Sequence, residues 1–196
     1  MTTLDLGPQT RIVARLAEAV TDERLTGPTP CPDLAVRNLL GHLLGLSVAF
    51  RDAARKDLGP TTDTSPAVAA SDIGPGWREE LPKVLDDLAD AWRSPAAWTG
   101  DTRAGGVDLP AAVAGAVVAD ELVIHGWDLA RATGQEYVPD PAALGAALTF
   151  LRAAADDPNR GSGLFGPVVP VPESATLLDR AIGLSGRDPK WRPVLG

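Results

Sequence analysis

The segment Pro110–Gly134, PAAVAGAVVADELVIHGWDLARATG, carries the marks of one long helix. Its first residue suits the first helical position, where proline needs no amide hydrogen. Its last residue suits the left-handed position that often follows a helix C-terminus, because glycine has no Cβ. Between them the sequence is rich in aliphatic residues. The pattern predicts a helix over residues 110–133.

One face of this predicted helix carries polar side chains. Glu121, His125 and Asp128 lie at i, i+4 and i+7, which places them in one row. A buried carboxylate is costly unless it is paired or bound to a metal, and the cation Arg131 lies too far along the helix to pair with Glu121. The spacing therefore predicts either a buried Glu–His pair or part of a metal site.

The chain has one other histidine, His42, which lies in the leucine-rich stretch NLLGHLLGL of a predicted helix over residues 34–56. It is either a hydrogen-bonded core histidine or a third ligand beside Glu121 and His125. Two imidazoles and one carboxylate form the three-ligand set of a catalytic zinc site with one open position. Helical bundles hold metals with such inward-facing side chains. The same set suits nickel, iron and manganese.

Two further residues have two interpretations each. Asp128 either orients a ligand ring or is a structural carboxylate. Cys31, between two prolines before the helix, is either a nucleophile activated by the helix N-terminus or a small packed hydrophobic residue. A fourth metal ligand from either residue would indicate a structural site, whereas an open position would indicate catalysis.

The remaining periodicity predicts an all-α fold. Amphipathic helices are expected over residues 8–22 and 77–93, and the extension 140–196 is expected to hold one or two short helices. A glycine-rich stretch before Pro110 suggests a short strand or an irregular arm, and no other strand pattern is found. We therefore expect a single domain, residues 1–196, built as a bundle of four long helices.

Composition excludes several functional classes. The net charge is −8 and the basic residues are scattered, so no basic stripe could neutralise nucleic-acid phosphates. One cysteine excludes an internal disulfide. The longest apolar run is interrupted by acids, and the N-terminus resembles no signal peptide, so we expect a cytoplasmic protein without a membrane span. Helical bundles often pair, so a homodimer remains an alternative to a monomer.

Two motifs resemble a known family. Thr29–Gly45, TPCPDLAVRNLLGHLLG, resembles the signature T-P-C-x-x-W-x-V-x-x-L-x-x-H of the mycothiol-dependent maleylpyruvate isomerase N-terminal-domain family, in the DinB-like superfamily. Glu121–Gly134, ELVIHGWDLARATG, resembles the partner signature E-x-x-x-H-x-W-D-L-A. Leu34 stands where the first signature has tryptophan. The tail Leu164–Pro189 is similar to the close of a mostly uncharacterised actinobacterial subfamily of metal-binding proteins.

The resemblance implies a DinB-like four-helix bundle whose divalent metal, zinc in the isomerase or another ion such as nickel, is held by His42, Glu121 and His125. It implies mycothiol as a small-molecule co-substrate and a transferase or isomerase that acts on a small substrate through a metal-bound thiolate. The alternative is a non-catalytic module that binds metal or a small ligand. An anionic substrate would need a cation at the bundle mouth, and Arg37 and Arg131 are the candidates.

Overall fold

A computed structural model describes residues 3–32, 34–64, 73–156 and 165–193 of the chain. Within these residues the all-α prediction is confirmed, with one small two-stranded sheet. The helices are α1 (Gly7–Glu18), α2 (Val36–Arg55), α3 (Pro60–Asp63), α4 (Trp77–Trp92), α5 (Ala111–Thr133), α6 (Pro141–Ala155) and α7 (Leu177–Leu184). The strands are β1 (Asp101–Ala104) and β2 (Val107–Pro110), and short 3-10 helices cover Asp22–Arg24 and Pro95–Trp98.

Four long helices pack around the main core. Both α1 and α2 contact both α4 and α5. The core positions recur three or four residues apart, so each helix turns one apolar stripe inward. Fully buried leucines of this core are Leu39, Leu40, Leu43, Leu81, Leu85, Leu88, Leu122 and Leu129. Each such side chain contributes about 1.5–3 kcal/mol by leaving water.

Of the helix boundaries that differ from the sequence-based expectation, two have a clear physical cause. The first helix ends at Glu18 rather than at residue 22, because Thr21 adopts an extended conformation and starts a 3-10 turn. The long helix α5 begins at Ala111, because Pro110 pairs with Asp101 as the last residue of β2. At the other end, Gly134 has the predicted left-handed conformation, with a φ of 74°.

The glycine-rich arm before α5 is a β-hairpin, β1 paired antiparallel with β2. Gly105 and Gly106 form its turn with φ values of 61° and 79°, a region that favours glycine in two-residue hairpin turns. The hairpin is fixed to the C-terminal end of α2, where the hydroxyl of Thr102 donates to the carbonyl of Ala53 at 2.6 Å. Sequence analysis left this arm undefined because four-residue strands are too short for a clear alternation.

The C-terminal part of the chain covers the outer side of α5. Helix α6 packs against α5, and α7 packs against α6. They share a second apolar cluster that includes Val123, Trp127, Leu151 and Ile182. This packing brings the segment after α7 close to the polar face of α5. No helix in the described ranges is long and apolar enough to cross a membrane. That residues 1–196 form a single domain stays a prediction.

Candidate metal centre

The structure brings the three sequence-predicted ligands together. Helix α2 supplies His42, and α5 supplies Glu121 and His125. The Oε2 atom of Glu121 lies 3.3 Å from Nε2 of His42 and 3.1 Å from Nε2 of His125. One ligand atom from each residue lies within 4.8 Å of the other two. Both imidazoles therefore face the same carboxylate.

This donor set fits a single divalent metal ion. Atoms that share one tetrahedral ion at typical zinc–nitrogen and zinc–oxygen bond lengths lie roughly 3.3 Å apart. The two nitrogen–oxygen separations at Glu121 are close to that value. Neutral imidazole and carboxylate are also the chemistry that zinc, nickel and related ions accept. Metal binding by His42, Glu121 and His125 remains a prediction that this geometry supports.

Asp128 lies on the other edge of the His125 ring. The Nδ1 atom of His125 donates to Oδ2 of Asp128 at 3.0 Å, which leaves Nε2 facing Glu121. Arg187 then holds the fully buried Asp128 side chain in a two-point ion pair, with Nε 3.0 Å from Oδ1 and Nη2 2.9 Å from Oδ2. This fork geometry is the strong form of an arginine–carboxylate contact. The Asp128 carboxylate is therefore paired, and it is turned toward the Nδ1 edge of His125.

Sequence analysis missed Arg187. This residue follows α7 and is 59 positions away from Asp128 in the chain. The signal in the sequence was indirect, since a buried Asp128 requires a cation and the arginine one turn along its helix, Arg131, instead donates to the carbonyl of Pro189. No spacing rule could say which distant cation supplies it.

Without a metal ion, four side chains form a row of alternating negative and positive charges. They are Glu121, His125, Asp128 and Arg187. Burial raises the pKa of Glu121, but hydrogen bonds from His125 and His42 outweigh it and hold that pKa well below its usual range. Burial lowers the pKa of His125, but bonds to Asp128 and Glu121 raise it to about 9. Against the opposing effect of burial, the Arg187 charge keeps the pKa of Asp128 below its ordinary value. The metal-free centre is thus an electrically balanced ion network.

His42 is held differently from His125. Its Nδ1 atom is buried and has no hydrogen-bond partner within the described residues. Its ring meets that of His125 edge to face, with centroids 4.7 Å apart and planes at 77°. The register of α2 and packing therefore position His42, whereas a hydrogen bond to Asp128 also positions His125.

Hydrogen bonds from outside the helix fix the α5 backbone between the ligands. The Gln9 amide donates to the carbonyl of Leu122 at 3.0 Å and to the Tyr137 hydroxyl at 2.9 Å. That hydroxyl donates to the carbonyl of Val123 at 2.8 Å. The Tyr137 ring lies so close to Gly126 that a Cβ there would be 3.0 Å from the hydroxyl oxygen. A glycine beside His125 thus allows Tyr137 to reach the helix.

A cavity of about 590 Å³ opens beside the cluster and has His42 and Glu121 in its wall. Glu121 is the most accessible ligand, with 25% of its side chain exposed against 10% for each histidine. The hairpin forms another part of the wall, which includes Val107 and Leu109. A metal held by the three residues would therefore have an open side toward this cavity.

The other sequence candidates lie apart from the cavity. Cys31 is half-buried and is not part of the three-residue cluster. Arg37 is exposed near the start of α2. The Nη2 atom of Arg131 donates to the carbonyl of Pro189 at 2.8 Å, and its guanidinium lies 5.4 Å from the centre of the Trp127 ring. Neither arginine is among the described residues that line the cavity, so neither is placed as the predicted anion anchor.

Two known proteins are similar to this chain over most of its length. The uncharacterized proteins Rv0738 and MT0763, from two strains of Mycobacterium tuberculosis, are each 25% identical to it over 175 residues. The aligned region covers 89% of this chain and 91% of each relative.

Solved structures give the same fold. The crystal structure of the mycothiol-dependent maleylpyruvate isomerase superposes with a TM-score of 0.56 at 18% identity, and a mutant of that isomerase gives 0.57 at 17%. Each superposition covers 77% of this chain and 72% of the other. The model of the mycothiol maleylpyruvate isomerase N-terminal domain matches residues 6–130, a range that includes His42, Glu121 and His125. The chain therefore belongs to the mycothiol maleylpyruvate isomerase N-terminal domain family.

Proposed function

We propose that this chain is a divalent-metal protein that uses a small thiol, mycothiol in its family, as co-substrate of a transferase or isomerase reaction. The observation that carries the proposal is the convergence of two imidazole nitrogens and one carboxylate oxygen, from His42, His125 and Glu121, at the wall of a cavity. Zinc is the ion we expect, and nickel is the next candidate. The cytoplasmic location predicted from the sequence suits a thiol co-substrate.

The residues around the centre have separate roles in this proposal. A bound zinc ion would lower the pKa of a thiol at its open position, as it does for bound water. Asp128 accepts a hydrogen bond from Nδ1 of His125 and so keeps Nε2 available on the metal side. Arg187 holds Asp128 in the orientation that this requires. The cavity wall beside the centre is largely apolar.

Metal content of the untagged protein tests the ligand assignment. We expect about one equivalent of metal in the native chain and its loss in His42→Ala and Glu121→Ala. Glu136→Ala is the matched control because Glu136 is an exposed carboxylate outside the cluster. If the native chain takes up no metal after loading at neutral pH, the assignment of His42, Glu121 and His125 is wrong.

Cobalt substitution tests the thiol. In the Co²⁺-loaded native chain, addition of a thiol should produce a sulfur-to-cobalt charge-transfer band, and the band should be absent in His42→Ala. Turnover is then measured with electrophilic alkenes and the same thiol. A band without turnover of any alkene would favour the non-catalytic binding module, and the absence of a band would refute thiol binding at the metal.

A further inference from the structure

The charge of the cavity wall is unusual for a site in an isomerase family named after a carboxylate substrate. Among the described residues that line the cavity there is no lysine or arginine. Within the same described set, Glu80 is the one charged lining residue apart from the predicted ligands. Most other lining residues are aliphatic or aromatic, such as Leu44, Phe50 and Val117. A carboxylate that entered this part of the site would lose its hydration and gain no cationic partner from the described residues of the wall.

Two described arginines near the cavity are already engaged. Arg103 lies on the hairpin that forms part of the wall, but its guanidinium binds Asp108 at 2.8 Å and Asp63 at 3.1 Å. Arg187 lies behind the metal centre and is committed to Asp128. Arginine forks are the usual means of binding a substrate carboxylate. No such fork faces the cavity from the described ranges.

A bound metal ion would not supply the missing positive charge for a substrate carboxylate once the thiol occupies its open position. Glu121 and a thiolate would together offset the two positive charges of a divalent ion, and Arg187 is already offset by Asp128. A substrate carboxylate beside them would therefore find no net positive charge. The wall also includes Phe150 of α6 and Phe165, whose ring centroids lie 6.0 Å apart. Both residues lie outside the range that matches the family model, residues 6–130.

We propose that the molecule that receives the thiol is uncharged and largely apolar, with an aromatic or aliphatic body that lies against the hairpin and the two phenylalanines. This inference rests on the proposed function and names its substrate class. In the simplest such reaction, the thiol sulfur bonds to the β-carbon of an enone as the carbon–carbon π bond breaks. The proton that the thiol releases ends on the α-carbon, so atoms and charge balance.

The test compares two probes that differ in one group and do not react with thiols. The ketone 4-phenylbutan-2-one has a methyl group where 3-phenylpropanoate has a negative oxygen. Calorimetry measures their dissociation constants for the full chain, both metal-free and metal-loaded with saturating 2-mercaptoethanol. We expect the ketone to bind at least about tenfold more tightly in both forms. Equal or tighter binding of the carboxylate in the thiol-saturated form would overturn the proposal.

A charge introduced into the wall supplies the second comparison. Val107 lines the cavity and is 63% exposed, so Val107→Arg should fold and should reduce the preference for the ketone at least about threefold. Val138→Arg is the matched control, since Val138 is 78% exposed and outside the lining. An unchanged preference in Val107→Arg would contradict the role of the wall charge. If the native chain binds no metal, the proposed function fails and this inference fails with it, whereas a preference for the carboxylate in metal-loaded, thiol-saturated protein overturns this inference alone.

Discussion

The proposed metal centre and the cavity wall share His42 and Glu121, but the two regions are built in opposite ways. At the centre, the polar groups of Glu121, His125, Asp128 and Arg187 form one continuous ion network. In the wall, apolar side chains come from a hairpin, from three long helices and from the segment at Phe165. Helical register fixes the positions of the groups proposed to do chemistry, while less regular segments complete the surface that would select the substrate.

Loss of Arg187 should produce the largest effect on stability. In Arg187→Ala the buried Asp128 loses its cation, and the free energy of unfolding should fall by about 3–5 kcal/mol, as in other broken buried pairs. Urea unfolding measures this change. Arg192→Ala, at an exposed arginine, should stay within about 0.5 kcal/mol of the native value. A loss below about 1 kcal/mol in Arg187→Ala would mean that the network does not stabilise the centre.

The metal-free protein should lose stability as the pH rises. The folded pKa of His125, about 9, lies above its ordinary value of 6.5, so its contribution is complete below pH 6.5 and is lost as the pH passes through 9. The loss should be at most about 3 kcal/mol. Urea midpoints of chelator-treated protein at several pH values in this window measure it. His125→Gln should show a flatter profile, and constant stability of the native chain across the window would contradict the charged network.

A change in the hairpin should have a smaller effect and should leave the metal centre intact. Thr102→Val removes the hydroxyl that donates to the carbonyl of Ala53 and should cost about 1 kcal/mol. Metal content should remain that of the native chain. Thr149→Val is the control, because the Thr149 hydroxyl is exposed and bonds only within α6. Loss of metal in Thr102→Val would show that the wall and the centre are one structural unit.

The proposed metal centre and the cavity wall also differ in how much of each could be predicted from the sequence. The row of Glu121 and His125 follows from the helical period alone, and His42 was the other available histidine. Arg187 could not be predicted, because its contact with Asp128 depends on how α6 and α7 pack. The hairpin could not be predicted either, since its strands are short and its position depends on contacts with α2 and α3. Local periodicity predicts helices and the faces they bury, but it does not predict contacts made by irregular segments that are distant in the chain.

The place of Arg187 in the chain has a consequence for biosynthesis. A ribosome synthesises His42, Glu121, His125 and Asp128 before it reaches Arg187, so the nascent chain holds all three proposed ligands while Asp128 still lacks its cation. Burial of that carboxylate must wait until the segment after α7 has been translated and has packed. Completion of the ion network is therefore coupled to translation of the segment after α7.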